Sequence, residues 1–334
     1  MKDSLKRRCE QFIENRDRIK GAFVWESSYF YPLGASIFTG KGRMADVDRM
    51  KECRDLLKHN TGVFSNFRGN GKLAIISMLA LDENPERKLA NALVVYDRLK
   101  EHFWGSEYLP LTAMAITDLA GEESYEELAA RTRRIYDRMK SEHPFLTSGE
   151  DSTFAALLAL SDRSEEAVVY EMNRCYEIIK PEFFSSNAVQ SLSHILSLGE
   201  GGADMKCRRT MELYQALKER GCRYGTGYEL PTLGVLALLQ TDISELADTI
   251  AEVDEWLRTK KGFGAFGVGA KQRLMYAGLL TSYDYAAEFT GEASAINAAA
   301  INGTIALVIA QEAALCASVA AVSATAAAAS SSNS

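Results

Sequence analysis

The feature that most restricts this chain is a beat of about forty residues. Amphipathic segments close on an apolar residue followed by a basic one at Ile19-Lys20, Leu57-Lys58, Leu99-Lys100, Met139-Lys140, Ile179-Lys180, Leu217-Lys218 and Leu257-Arg258, with successive gaps of 38, 42, 40, 40, 38 and 40 residues. Four segments also carry a tyrosine three residues before the apolar member, at Tyr96, Tyr136, Tyr176 and Tyr214. That spacing puts both side chains on one helical face. A period this long marks a supersecondary module that hides its apolar face only against its neighbours.

Each module reads as two helices. The first is short and almost wholly apolar, as in KLAIISMLAL, LPLTAMAITDLA, DSTFAALLALS and LPTLGVLALLQ. A helix apolar all round is buried on every side. The second is longer and two-faced, as in PERKLANALVVYDRLK and DISELADTIAEVDEWLRT, with an apolar stripe and a charged face. Asp82-Glu83-Asn84-Pro85, Ala120-Gly121-Glu122-Glu123 and Gly199-Glu200-Gly201-Gly202 supply the turns and caps between them. The expected fold is all-α: tandem αα-hairpin repeats of about 40 residues. An open superhelix and a closed toroid-like ring both fit. The ring is preferred, because six or seven hairpins is a number at which a ring can close.

The repeats account for residues 1–290. From 291 to 334 the texture changes to an alanine-rich segment and a serine-rich tail, with Glu312 the one charge between Ala293 and Ala329. Alanine favours a helix, while Asn297, Asn302, Gln311 and Glu312 interrupt any membrane-spanning run. The expected role of this helix is close packing against the repeats or against a second copy of the chain. A membrane partner is not expected.

Composition narrows the partners further. With 38 Lys+Arg against 45 Asp+Glu the chain carries −7 at pH 7, which disfavours nucleic acid. The start, MKDSLKRRCEQF, is basic but lacks the apolar core of a signal peptide, so the expected compartment is the cytoplasm. The six cysteines (Cys9, Cys53, Cys175, Cys207, Cys222 and Cys316) show no CxxC pair and read as reduced and mostly buried.

Several stretches carry a family resemblance: NTGVFSNFRGNGKL, FWGSEYLPL, RTRRIYDRMKSEHPFLTSGED, KPEFFSSNAVQSLSHILSLGEG and the alanine-serine tail. In these the chain resembles the bacterial domain-of-unknown-function family 4003 over most of its length. The resemblance implies a bacterial protein with no assigned activity and no catalytic residues to carry over.

Chemistry is expected in the turns that precede the apolar helices. These hold Glu26, Asn66, Arg68, Glu107, Tyr108, Glu150, Asp151, Asn187 and Glu229, with His194 on a neighbouring apolar helix. In a repeat fold these turns gather along one rim. Trp25, Trp104, Tyr108 and Tyr228 would wall a mouth there, with His143 close by. Crowded carboxylates in a partly dry mouth raise the pKa of at least one of them, leaving one acid to donate a proton and a neighbour to accept. The plainer expectation is that Ser, Asn, Asp and Glu at these positions cap helices and complement their dipoles. His194 reads first as a hydrogen-bonded core histidine and second as a proton carrier facing the cavity. None of His59, His102, His143 or His194 has metal-ligand spacing, so neither a metal nor a cofactor is expected.

Two glycine-rich strings do not fit nucleotide sites. GFGAFGVGAK follows a helix instead of a strand, and RGNGKL lacks the phosphate-loop spacing. The aromatic group Phe23, Trp25, Tyr29, Phe30 and Tyr31 reads as a cover for the first repeat. The leading expectation is a scaffold that binds a peptide, a protein or a small polar ligand. The alternative is a toroid enzyme with cavity carboxylates as general acid and base on a glycan or another polar substrate.

Overall fold

The computed structural model describes residues 1–288 except 27, 29, 265 and 266. Tyr29, Cys316 and the alanine-rich segment, with the self-association expected of it, lie outside the described residues. Fourteen α-helices follow one another among the described residues, and no strand occurs among them. They are α1 (Asp3–Ala22), α2 (Phe30–Gly40), α3 (Val47–Asn60), α4 (Lys72–Ala80), α5 (Pro85–His102), α6 (Leu109–Leu119), α7 (Tyr125–Glu142), α8 (Asp151–Ala159), α9 (Glu165–Ile179), α10 (Ser186–Leu198), α11 (Ala203–Glu219), α12 (Leu230–Ala237), α13 (Ile243–Arg258) and α14 (Ala270–Glu288). No helix among them is long and apolar enough to cross a membrane.

Odd- and even-numbered helices differ as their sequences require. Every residue of α8 and of α12 is buried, because neither helix has a polar face to offer water. The odd helices bury one stripe, such as Leu89, Ala92, Val95 and Leu99 on α5 or Leu246, Ile250, Val253 and Leu257 on α13. Even helices pack against their even neighbours in chain order, from α2 through α4, α6, α8, α10 and α12 to α14. Helix α14 then packs against both α1 and α2, bringing the last described helix onto the first two.

Aromatic contacts mark how neighbouring pairs join. Phe67 meets Tyr96 at 5.1 Å, Phe103 meets Tyr136 at 5.2 Å, His143 meets Tyr176 at 4.5 Å and Phe183 meets Tyr214 at 5.1 Å between ring centroids. Each of the four spaced tyrosines thus receives a ring from the turn after the preceding odd helix. Where α14 returns to α1, Phe12 packs on Phe263 and Tyr276, Ser4 donates to Asp284 at 3.1 Å, and Arg16 donates to the Lys261 carbonyl at 2.8 Å.

The caps fall partly where expected, at Asn84 in the Asp82–Pro85 turn, and mostly away from the candidate turns. Asp46, Asn84, Ser164 and Asp242 accept from first-turn amides of the odd helices α3, α5, α9 and α13. In the candidate turns, Ser185 caps α10 through the Ala188 amide and Ser65 caps the short 3-10 turn before α4 through the Phe67 amide. Glu150 and Glu229 stand at cap positions and cap nothing. The physical reason is length: Ser, Asn and Asp oxygens lie close enough to reach an amide two or three residues on, whereas these glutamates turn elsewhere.

Cys9, Cys53, Cys175 and Cys207 are buried, Cys222 is partly buried, and all five are free thiols. The string from Gly262 joins α13 to α14, with the Val268 amide on the Gly262 carbonyl at 2.8 Å. Gly262 has a φ of 90°, a conformation side chains disfavour. A Cβ on Gly267 would strike the Gly262 carbonyl. These glycines build a tight turn between helices, without the strand that a dinucleotide site needs.

Candidate functional site

The turn before α8 reads HPFLTSGED, and its last two residues are acidic. Its fold is held from inside. Thr147 donates to the Met139 carbonyl at 3.1 Å and accepts from the Gln190 amide group of α10 at 2.9 Å, while Lys140 donates to the Thr147 carbonyl at 2.6 Å. Asp151 turns back to accept from the Ser148 amide at 2.7 Å. This places its other carboxyl oxygen 3.6 Å from His194 Nδ1, on α10.

Burial decides the charge of that pair. His194 is wholly buried and held down at a pKa of about 3 by desolvation, with His143 adding repulsion. Asp151 is 3% exposed and pushed up to about 7, mainly by burial, with the Ser148 amide acting against the rise. A neutral imidazole makes no ion pair, so the 3.6 Å separation is a contact without a salt bridge or a hydrogen bond. Neither ring nitrogen of His194 has a hydrogen-bond partner. The expectation of a hydrogen-bonded core histidine is therefore not met, because its neighbours offer a ring, Phe154 at 4.7 Å, in place of polar atoms.

Outward from the pair the site opens toward the turn before α6. Tyr108 lies against Gly149, and its phenol is pushed up to about 12 by burial and then by Glu150, Glu107 and Asp151. Glu150 is also raised by burial, against a hydrogen bond from Ser148. Glu107 accepts weakly from Asn70 at 3.4 Å. Beside Tyr108 and Gly149, the Ser106 hydroxyl lacks a partner. Among the described residues, none of Glu107, Glu150 and Asp151 pairs with a lysine or arginine.

The remaining candidates stand apart from this cluster. Glu26 forms an ion pair with Lys72 at 2.9 Å. Asn66 donates to the Tyr96 hydroxyl at 3.2 Å. Arg68 binds Thr61 Oγ1 at 3.0 Å and the Lys58 and Thr61 carbonyls, clasping the end of α3. Asn187 is exposed. Glu229 is buried against Gly225 and accepts from the Gly227 amide at 3.3 Å. Trp25 and Trp104, expected as walls, are 97% and 95% exposed. Sequence reasoning overlooked Ser106, Thr147 and Gln190; the only signal was their polarity beside apolar runs.

Among the described residues no three His, Cys, Asp or Glu side chains group as metal ligands. A cleft of about 660 Å³ lies where α5 begins and α6 ends, and ion pairs fill its polar wall, Arg87 with Glu122 and Lys88 with Asp82 and Asp118. Glu83 and Glu123 line the cleft outside these ion pairs.

Comparison with known proteins agrees with the residues that carry the resemblance. An uncharacterised protein of Bacillus subtilis (strain 168), YeaA, is 24% identical over 273 residues, covering 78% of this chain and 80% of its own. No solved structure matches the chain. The model of a family described as protein of unknown function, DUF4003, matches residues 15–314, and the chain belongs to that family.

Proposed function

We propose that the chain is a ring of seven helical hairpins serving as a binding scaffold, with a mouth for a small cationic ligand at α6, α8 and α10. The return of α14 onto α1 and α2 supports the closed ring, and the recurring turn-to-tyrosine contacts support equivalent hairpins. The observation that carries the binding role is a set of carboxyl groups, Glu107, Glu150 and Asp151, about Tyr108 that form no salt bridge with a lysine or arginine among the described residues, Lys140 acting on Asp151 only from a distance. Unmatched carboxylates beside an aromatic ring suit an amine, whose ammonium donates charge-assisted hydrogen bonds to the acids and makes a cation–π contact with the ring. Loss of burial-induced repulsion on binding would strengthen the complex as Glu150 and Asp151 ionise.

A second reading rests on one group. Asp151, with a pKa of about 7, is matched to proton transfer near neutral pH, with His194 as its neighbour. Burial keeps both side chains from touching a ligand, so an amine would meet the partly exposed Glu107 and Glu150, with Asp151 acting from behind them. The test is a thermal-shift series of the full chain with spermidine, putrescine and neutral sugars at pH 6 and pH 8. Amines are expected to raise the melting temperature more at pH 8 and to lose that effect in Glu150→Gln. A shift with sugars alone would replace the amine with a neutral polar substrate, and no shift with any amine would refute this mouth as an amine site.

A further inference from the structure

Five large aromatic side chains are at least 95% exposed: Trp25, Phe64, Trp104, Phe145 and Phe184. Their spacings are 39, 40, 41 and 39 residues. Each lies just past the end of an odd-numbered helix or its 3-10 extension, after α1, α3, α5, α7 and α9. Those turns are neighbours: Glu26 reaches Lys72, Asn66 approaches Gly105, Gly149 lies against Ser106 and Tyr108, and His143 packs on Tyr176 at 4.5 Å. The five rings therefore stand on one face of the molecule. The row stops where the corresponding rings, Tyr224 and Phe263, are buried.

Three successive turns add an acid to the ring. Those before α6, α8 and α10 each carry one exposed ring and one glutamate that forms no salt bridge among the described residues: Trp104 and Glu107, Phe145 and Glu150, Phe184 and Glu182. Lys180 is the one lysine or arginine in these turns, and it donates to the Phe183 carbonyl at 3.3 Å. The lysines closing the helices just ahead have partners of their own, Lys100 in Asp97 at 3.8 Å and Lys140 in the Thr147 carbonyl at 2.6 Å. Beside Phe184 a groove of about 770 Å³ is lined by Tyr176, Phe183 and Glu182 among others. The first two rings lack a free acid: Glu26, next to Trp25 in the chain, is matched by Lys72, and the turn of Phe64 holds no carboxylate.

We propose that the row from Trp104 to Phe184 is a docking surface for a polypeptide segment in polyproline II conformation with a lysine or arginine at every third residue. This rests on the reading of the mouth as an amine site and lengthens that mouth by the turn of Glu182 and Phe184. Charge and spacing select the occupant. Helices α6, α8 and α10 pack side by side, at the roughly 8–10 Å that separates packed helix axes, so the sets of ring and glutamate recur at about that pitch. A polyproline II segment repeats every three residues, about 9 Å, and presents the same face at each repeat. Its basic side chains donate charge-assisted hydrogen bonds to Glu107, Glu150 and Glu182 in turn. The residues between them lie on Trp104, Phe145 and Phe184, as Pro-rich segments lie in aromatic-lined grooves. A single amine fills one set and gains nothing from the other two. An acidic segment meets three like charges and is repelled.

The experiment uses the full chain with a fluorescein-labelled peptide of three Lys-Pro-Pro units, read by anisotropy at pH 8. Two control peptides carry glutamate for every lysine, or the same lysines together ahead of all the prolines. The Lys-Pro-Pro peptide is expected to bind, and to weaken at least about 3-fold between 0.05 and 0.5 M salt, as screening predicts. It should bind about 10-fold more tightly than the clustered peptide, whose lysines cannot reach all the sets at once. The glutamate peptide should not bind. Glu182→Gln combined with Phe184→Ser removes the one set outside the mouth and is expected to weaken the Lys-Pro-Pro peptide about 10-fold. Both side chains are exposed, so the melting temperature of this variant and its thermal response to spermidine should remain. Spermidine reports on the mouth alone, and the two readings therefore fail separately. A spermidine response without binding of the Lys-Pro-Pro peptide would overturn this inference and leave the mouth standing. Equal binding of the spaced and clustered peptides, or binding unchanged in the double variant, would overturn it too. Absence of both responses would overturn both readings. Self-association abolished by the double variant, with no peptide bound, would overturn the inference in favour of a second copy on this face.

Discussion

The α1–α14 seam and the α6–α8–α10 cluster both bury polar groups between neighbouring helices, yet they treat them oppositely. At the seam, Ser4 donates to Asp284 at 3.1 Å, Arg8 lies 3.7 Å from the same carboxylate, and Arg16 donates to the Lys261 carbonyl at 2.8 Å. Phe12, Phe263 and Tyr276 stack beside them. In the cluster, Asp151 has one backbone amide, His194 has no hydrogen bond, and neither Glu107 nor Glu150 forms a salt bridge among the described residues. Matched polar groups hold a structure together, whereas unmatched ones cost stability that a fold retains for another purpose. The seam is the place to look for stability and the cluster the place to look for binding.

The largest test of this contrast is at the seam. Phe12→Ala should lower unfolding free energy by about 3–5 kcal/mol in urea titration, since it opens a cavity between the first and last described helices. Within the last hairpin, Arg273→Ala should cost about 3 kcal/mol by leaving Asp254 on α13 uncompensated. A loss under about 1 kcal/mol for Phe12→Ala would mean the seam is not a structural joint.

The cluster should respond with the opposite sign. Asp151 is raised from 3.8 to about 7, so the folded state binds its proton more tightly and stability falls as pH rises from about 4 to 7. Asp151→Asn removes that penalty and should stabilise the protein by about 2 kcal/mol at pH 8, while changing little at pH 4. His194, lowered from 6.5 to about 3, works the other way, contributing stability above pH 6.5 that is lost as pH falls toward 3. The two slopes oppose each other between about pH 4 and 6.5, so the wild-type profile should be nearly flat there. Melting temperatures of the single variants unmask each slope: rising with pH in Asp151→Asn, falling with pH in His194→Leu. Parallel profiles in the two variants would show that the groups do not titrate as their burial requires.

Helix starts give the smallest effect. Asp242→Ala, which removes the cap on the Glu245 amide, should cost about 1 kcal/mol. Glu150→Ala, at an equivalent position that caps nothing, should cost less than half of that or stabilise. Equal losses in thermal unfolding would erase the distinction between the capped start of α13 and the uncapped start of α8.

Particular residues show what was legible beforehand. Leu89, Ala92, Val95 and Leu99 declare a one-faced helix, and the all-apolar DSTFAALLA declares a buried one, because periodicity records how each helix meets solvent. Tyr96, Tyr136, Tyr176 and Tyr214 were recognisable as a series, but their partners Phe67, Phe103, His143 and Phe183 come from different turns and no spacing rule pairs them. The capping residues were partly misplaced, since Asp46 and Asp242 and the candidate acids look alike in composition. The exposed row from Trp25 to Phe184 was hidden for the same reason: an aromatic residue in a turn reads equally as wall, cover or free surface.

By itself, then, the sequence determined an all-helical chain with alternating buried and two-faced helices, and a family membership written in its turns. Local propensity and apolar periodicity act over a few residues, and a string records them fully. Only the tertiary structure decided that α14 returns to α1, that Asp151 meets His194 across two helices, and that five rings share one face. Those outcomes depend on distances between residues far apart in the chain and on how much water each arrangement excludes. Desolvation belongs to the packed assembly of helices, and it is what makes one aspartate of many carry a proton near neutral pH.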